Sequence, residues 1–94
     1  MKIDIEDNII FLISAKDLKK YQISQLNYYG YMESNNNWIM TSHNLEIDLL
    51  KIIDYLNEEN IIYELSEKSK CILRNTLQKK GIRNYFRKGK KNKR

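Results

Sequence analysis

The chain has 94 residues, which is enough for one small domain. Its one cysteine excludes an internal disulfide, and one cysteine with one histidine cannot supply the four ligands of a structural zinc site. The net charge of +5 conceals a division of the chain. Residues 1–67 contain five lysines and all 12 acidic residues, a balance of −7, whereas residues 68–94 contain the other 12 basic residues and no acidic one. The sequence therefore predicts an acidic body with a basic end.

The apolar segments are too short for a membrane protein. The longest uninterrupted one covers residues 9–13, whereas a helix needs about 20 apolar residues to cross a bilayer. The first seven residues, Met1–Asp7, are acidic and contain no hydrophobic signal-peptide region. We therefore expect a cytoplasmic protein with no membrane partner.

The first third of the chain predicts a β-hairpin followed by a helix. Residues 2–6 alternate between polar and apolar side chains, and residues 9–14 form an apolar, β-branched run. Asp7 and Asn8, which tolerate positive φ, lie between them and predict a two-residue turn. Because the second strand is apolar on both faces, we expect it to be the more central one. Ser14 and Asp17 resemble a capping box, which predicts a helix from Ser14 to about Leu26.

The middle of the chain predicts a second hairpin and the clearest helix. Aromatic runs at residues 28–33 and 38–41 flank a cluster of asparagines suited to a turn. Asn44 caps a helix that ends at Asn60, and its apolar side chains recur at the helical period: Leu45, Leu49, Ile52, Ile53 and Leu56. Residues 61–65 predict a last short strand.

The basic end begins with a third predicted helix, at residues 66–80, with Ser66 as its cap. The predicted order is ββαββαβα, an α+β fold in which helices pack on an antiparallel sheet. We expect one compact domain over residues 1–81. The basic tail, residues 82–94, has few apolar side chains, and we expect it to be disordered.

No pattern in the sequence indicates an enzyme. The three glycines are far apart, which excludes a phosphate-binding loop within this chain. His43 stands beside Asn44 with no nucleophile motif around it, and Cys71 is expected to be a small buried hydrophobic residue. We therefore expect no catalytic residue, metal or cofactor.

Nucleic acid is the partner that the basic end favours, because phosphates attract lysine and arginine whatever the base sequence. Within this end, Tyr85 and Phe86 are flanked by basic residues; they either stack on unpaired bases or pack the tail against the body. Trp38 leaves the same choice between base stacking and a place in the core. The candidate binding residues are Arg74, Lys79, Lys80, Arg83, Tyr85, Phe86, Arg87, Lys88, Lys90, Lys91, Lys93 and Arg94.

The segment from Ile9 to Leu65 resembles the HARP domain and related N-terminal modules of Swi/Snf-type DNA helicases and annealing helicases. The closest part is the hairpin sequence YMESNNNW, with Tyr31 and Trp38 seven residues apart, followed by an amphipathic helix. The resemblance implies a compact α+β unit that helps an attached ATPase to recognise branched or single-stranded DNA. Here the tip of the hairpin is Ser and Asn instead of basic, which moves the expected DNA contact to the C-terminal helix and tail.

Two alternatives remain open at this stage. In one, the chain is a small phage or mobile-element protein whose acidic body mimics nucleic acid and inhibits a DNA-handling enzyme. Its working surface would consist of six carboxylates: Glu46, Asp48, Asp54, Glu58, Glu59 and Glu64. In the other, the chain is a ribosome-associated protein whose tail enters RNA. DNA is favoured over RNA, and the sequence does not indicate an oligomeric state.

Overall fold

Eight elements follow one another in the order ββαββαβα, which confirms the predicted order and the α+β class. The computed structural model describes the backbone of residues 1–80 and the side chains of residues 1–78. The elements are β1 (Lys2–Glu6), β2 (Ile9–Ile13), α1 (Lys20–Tyr28), β3 (Met32–Ser34), β4 (Asn37–Thr41), α2 (Leu45–Glu58), β5 (Glu64–Leu65) and α3 (Glu67–Lys80).

The strands form one sheet in the order β3-β4-β2-β1-β5, so β2 is central, as its two apolar faces predict. The sheet is mostly antiparallel, as predicted, and it contains one parallel pair. β5 runs parallel to β1, with Lys2 opposite Glu64 and Ile3 opposite Leu65. A parallel pair needs a long connection, and here most of the domain lies between the two strands.

Both predicted hairpins are present, and both turns use residues with positive φ. Asp7 has a φ of 55°, and Glu6 pairs with Ile9 across the two-residue turn. In the second turn Asn35 and Asn36 have φ values of 51° and 65°. Two consecutive residues with positive φ match the right-handed twist of the flanking strands, and asparagine reaches this region more readily than most residues.

The predicted start of the first helix at Ser14 is wrong. Ser14 and Asp17 have φ values of 58° and 60°, which a right-handed helix does not allow. The backbone amide of Ser14 instead donates a hydrogen bond to the side chain of Asn37, and that of Ala15 donates to the carbonyl of Asn36. This loop is therefore held by the β3–β4 turn, and α1 begins six residues later than predicted.

The C-terminal ends of α1 and α2 share one geometry. At the end of α1 the amide of Tyr31 donates to the Leu26 carbonyl, and Gly30 has a φ of 104°. At the end of α2 the amide of Ile61 donates to the Leu56 carbonyl, and Asn60 has a φ of 58°. Both are Schellman motifs, in which a left-handed residue satisfies the last carbonyls of the helix. Residues 28–30 thus end α1, although the sequence predicts them as part of a strand.

α3 is tied to β1 at its first turn. Ser66 caps the helix as predicted, since its hydroxyl accepts a hydrogen bond from the Ser69 amide at 3.2 Å. The hydroxyl of Ser69 is fully buried and donates to the Ile3 carbonyl at 2.9 Å. The amide of Ser66 donates to the same carbonyl, also at 2.9 Å. The position of α3 on the sheet is therefore set by hydrogen bonds as well as by apolar packing.

A single core lies between one face of the sheet and the three helices. The sheet contributes every second residue of its longer strands: Ile3, Ile5, Ile10, Leu12, Trp38 and Met40. Leu26 of α1, Leu49 and Ile52 of α2, and Leu73 and Leu77 of α3 are buried against them. No helix within residues 1–80 is long and apolar enough to cross a membrane.

Candidate nucleic-acid interface

The exposed side of α3 is basic. Leu73, Thr76 and Leu77 are buried, and the Thr76 hydroxyl donates to the Ile72 carbonyl at 2.7 Å, so this seam of the helix belongs to the core. The three basic side chains that the structure describes on α3 are all exposed: Lys68, Lys70 and Arg74. The prediction that the basic end begins on an ordered helix is consistent with this arrangement.

The acidic residues near these cations hold them weakly. Lys70 Nζ lies 3.6 Å from Glu67 Oε2, and both side chains are largely exposed. Exposed ion pairs of this kind contribute about 0–1 kcal/mol. A hydrogen bond from Ser66, together with the positive charges of Lys2 and Lys68, lowers the pKa of Asp4 below its usual range. None of these contacts withdraws a cation from solvent, so a phosphate can replace Glu67 as the partner of Lys70.

The remaining predicted basic residues divide into two groups. Lys79 and Lys80 lie in the last turn of α3, five and six residues after Arg74. With about 100° per residue, these positions are rotated about 140° and 240° from Arg74 around the helix axis, so the three do not form one stripe. The others lie outside the described residues: Arg83, Tyr85, Phe86, Arg87, Lys88, Lys90, Lys91, Lys93 and Arg94.

Trp38 is a core residue, and the base-stacking alternative for it is wrong. Its side chain is 4% exposed, on the helix-covered face of the sheet, opposite Leu12 of β2. An indole packed in this way has no ring face that a base can reach. Tyr31, the other aromatic residue of the YMESNNNW segment, is equally enclosed, and burial raises the pKa of its phenol well above the usual range. Both aromatics of that segment therefore stabilise the fold.

Asp48 and Glu59, which belong to the six carboxylates proposed as a nucleic-acid mimic, form side-chain hydrogen bonds within the domain. Asp48 accepts a hydrogen bond from the Ser42 hydroxyl at 2.5 Å. Glu59 accepts from the Tyr21 hydroxyl at 2.6 Å and from the Gln22 amide at 3.1 Å, and these two bonds lower its pKa. Glu46, Asp54 and Glu58 lie on α2, whereas Glu64 lies on β5 at the edge of the sheet. Five of the six carboxylates thus lie on α2 or at its C-cap and one lies on β5, and the hydrogen bonds of Asp48 and Glu59 stabilise the fold.

The residues considered for catalysis and metal binding lie apart from one another. Cys71 is exposed on α3, so the expectation that it is buried is wrong. His43 is exposed in the connection between β4 and α2. Within residues 1–80, no three His, Cys, Asp or Glu side chains form a group that could hold a metal ion.

The exposed tyrosines of α1 are a surface feature that the sequence analysis missed. Tyr21 and Tyr28 are exposed and lie seven residues apart, which places them on one side of the helix. The rings of Tyr28 and Tyr29 are 6.2 Å apart, and Tyr29 meets Tyr55 edge to face at 5.8 Å. The ammonium of Lys51 lies 5.6 Å from the Tyr29 ring centre. The seven-residue spacing of Tyr21 and Tyr28 is the sequence pattern that indicates a shared side of a helix. It does not stand out in the sequence because Tyr28 and Tyr29 are predicted to lie in a strand.

Comparison of the chain with models of protein families, with curated proteins and with solved structures finds no match in any of the three. The resemblance to HARP domains is carried by the residues quoted above, and it stays a prediction.

Proposed function

We propose that this chain is a non-catalytic nucleic-acid-binding module that holds phosphates through its basic C-terminal helix and tail. The observation that carries the proposal is the separation of charge along the chain, seen together with the exposure of α3. Lys68, Lys70 and Arg74 are exposed on an ordered helix. The chain then continues into a segment with nine further basic residues and no acidic one.

This arrangement favours binding that depends on salt and tolerates different base sequences. Each lysine or arginine that neutralises a phosphate releases counterions, which lowers the affinity as the salt concentration rises. The described part of α3 offers exposed lysine and arginine side chains, which bind phosphates and carry no base-sequence information by that contact. The acidic body, with its balance of −7, repels phosphates elsewhere on the molecule and so directs them to the basic end.

The HARP resemblance supports DNA over RNA and a role as the recognition module of a helicase-like assembly. The acidic-mimic alternative is less favoured because Asp48 and Glu59 form hydrogen bonds within the domain. A mimic presents its carboxylates to the partner, and a carboxylate that stabilises the fold is poorly placed for that purpose. A ribosome-associated protein would bind RNA through the same contacts between basic side chains and phosphates. The test below distinguishes this role from DNA binding because it compares DNA with RNA of the same sequence.

The test is a fluorescence-anisotropy titration of the full chain with single-stranded, forked and duplex DNA and with RNA of the same sequence. We expect binding at low salt that weakens linearly in log–log form as salt increases. Preferred binding of RNA would replace the DNA assignment with the ribosomal alternative. No binding to any of the four at low salt would refute the proposed function.

A matched pair of variants locates the binding surface. In one, Lys90, Lys91 and Lys93 are replaced by glutamine; in the other, Lys2, Lys16 and Lys20 are replaced in the same way. Both variants lower the net charge by three, so any effect of total charge on the affinity is the same in the two variants. We expect a large loss of affinity in the first variant and a small one in the second. Equal losses would show that binding is not located at the basic end.

A further inference from the structure

The face of the sheet that points away from the helices carries an apolar row. Ile9, Phe11 and Ile13 of β2 and Ile39 of β4 are half-buried, and they lie on the side opposite the buried residues of the same strands. They are not among the side chains that pack against the core. Met32 of β3, opposite Ile39 in the register, is 73% exposed. We call these five residues the outer row.

The outer row runs across three neighbouring strands, because Met32 pairs with Ile39 and Ile39 pairs with Phe11. The three described helices all contribute to the core on the other face. A strand with apolar side chains on both faces is typical of a sheet that is covered on both sides. A contiguous apolar patch of this kind marks an interaction surface.

Charge on the adjacent strand indicates which kind of segment fits the outer row. Asp4 pairs with Phe11 and Glu6 pairs with Ile9 in the register of β1 with β2. Lys2 pairs with Ile13 at the other end of β2, so on the side of β1 the row is bordered by two carboxylates and one ammonium, a balance of −1. A segment that combines aromatic or aliphatic side chains with arginines is complementary to an apolar row with an acidic border, whereas the phosphates of a nucleic acid would be repelled.

The chain itself contains such a segment directly after α3. Residues 82–87 have the sequence Ile-Arg-Asn-Tyr-Phe-Arg, which combines three apolar or aromatic side chains with two arginines. α3 packs on β1, the strand that carries the acidic border, and on β5 at that edge of the sheet. Six extended residues reach about 20 Å, which is several times the ~4.8 Å between neighbouring strands. A segment of this length spans about four strand spacings, and at this edge of the sheet only the two-residue β5 lies beyond β1.

We propose that residues 82–87 dock on the outer row in extended form, with the face that carries Arg83, Tyr85 and Arg87 toward the sheet. Tyr85 then lies against Phe11 and Ile39, and the two arginines lie beside Asp4 and Glu6. The cations from Lys88 onward are then held at the outer face of the sheet. The inference goes beyond the proposed function, because it concerns a contact within the chain that forms in the absence of nucleic acid.

The contact is tested on the full chain by paramagnetic relaxation enhancement. Cys71 is replaced by serine, and a spin label is attached to Gly89→Cys. We expect the amide signals of residues 9–13 and of Ile39 to broaden most, with weaker broadening along α2. Broadening centred on α2, or none in the domain, would overturn the proposal. Broadening that persists when spin-labelled chains are mixed with separate ¹⁵N-labelled chains would show that a second copy occupies the row, which would also overturn it.

Two further variants separate docking from folding. Tyr85→Ala with Phe86→Ala leaves residues 1–80 unchanged, and we expect it to remove most of the broadening and to shift the signals of the outer row. Phe11→Thr with Ile39→Thr places a β-branched residue, which favours strands, at both positions and should have the same effect. The measurements contain no nucleic acid, and failure of docking leaves phosphate binding by the basic residues intact. The two proposals can therefore fail independently.

Discussion

The most direct prediction concerns the two neighbouring cations on the exposed side of α3. Lys70 and Arg74 are four residues apart, so they lie on one side of the helix, and both are exposed. If each holds one phosphate of a single strand, each adds about 0.7 to the slope of log affinity against log salt. Replacing both by glutamine should lower that slope by about 1.4.

The size of this effect follows from the salt range. Between 50 and 200 mM salt, a fourfold change, a slope difference of about 1.4 corresponds to roughly a sevenfold difference in affinity. The affinity of the double variant should therefore fall about seven times less over this range than that of the unmodified chain. The fold should be nearly unaffected, because both side chains are exposed and the ion pair of Lys70 with Glu67 is a weak surface contact.

Anisotropy titrations at several salt concentrations measure the slope, and thermal unfolding checks the fold. The matched control is Lys16→Gln with Lys20→Gln, which makes the same change of charge on exposed residues outside α3. Its slope should remain that of the unmodified chain. A double variant of α3 with an unchanged slope would refute the reasoning, because it would exclude α3 from the binding surface.

Three further predictions concern the fold, and chemical unfolding measures each of them. Gly30→Ala should lower the free energy of unfolding by about 1–3 kcal/mol, because a φ of 104° is strained for any residue with a Cβ. Asn60→Ala should lower it by only about 1 kcal/mol, and equal losses would contradict this interpretation of the two helix ends. Ser69→Ala should lower the free energy of unfolding by about 1 kcal/mol through loss of its hydrogen bond to the Ile3 carbonyl. A neutral result would show that this hydrogen bond does not contribute to the stability. Tyr31→Phe should be neutral or stabilising at pH 7, since the buried hydroxyl has no hydrogen-bond partner within residues 1–80. Because burial raises the Tyr31 pKa, the folded state binds more protons than the unfolded state above about pH 10, and the variant should lose less stability there; an identical pH profile would contradict this.

The parts of the fold that depend on neighbouring residues could be predicted from the sequence. Asn44 caps α2 as predicted, with its side chain 3.2 Å from the Ile47 amide, and Asn60 is the left-handed residue that terminates the helix after Glu58. The start of α1 could not be predicted in the same way. Ser14 has the composition of a cap, but its amide is bound by Asn37, which is 23 residues away in the chain. A local pattern does not contain that contact.

The same distinction applies to the candidate site. The exposure of Arg74 follows from the apolar seam of α3, which the sequence contains. The burial of Trp38 depends on which face of the sheet the helices cover, and two aromatic runs around a turn do not indicate that. Tyr28 was missed because an aromatic run favours a strand, whereas in the structure α1 continues to Tyr28 and ends through Gly30.

The parallel pairing of β5 with β1 also has a consequence for the order of synthesis. The carbonyls of Met1 and Ile3 are bound by the amides of Glu64 and Ser66, at 3.0 and 2.9 Å. This edge of β1 therefore stays unpaired on the ribosome until residue 66 has emerged, although the hairpin of β1 and β2 can form much earlier. A chain interrupted before Ser66 would have an open strand edge and nearly all of the acidic charge. It would have none of the 12 basic residues of the C-terminal end.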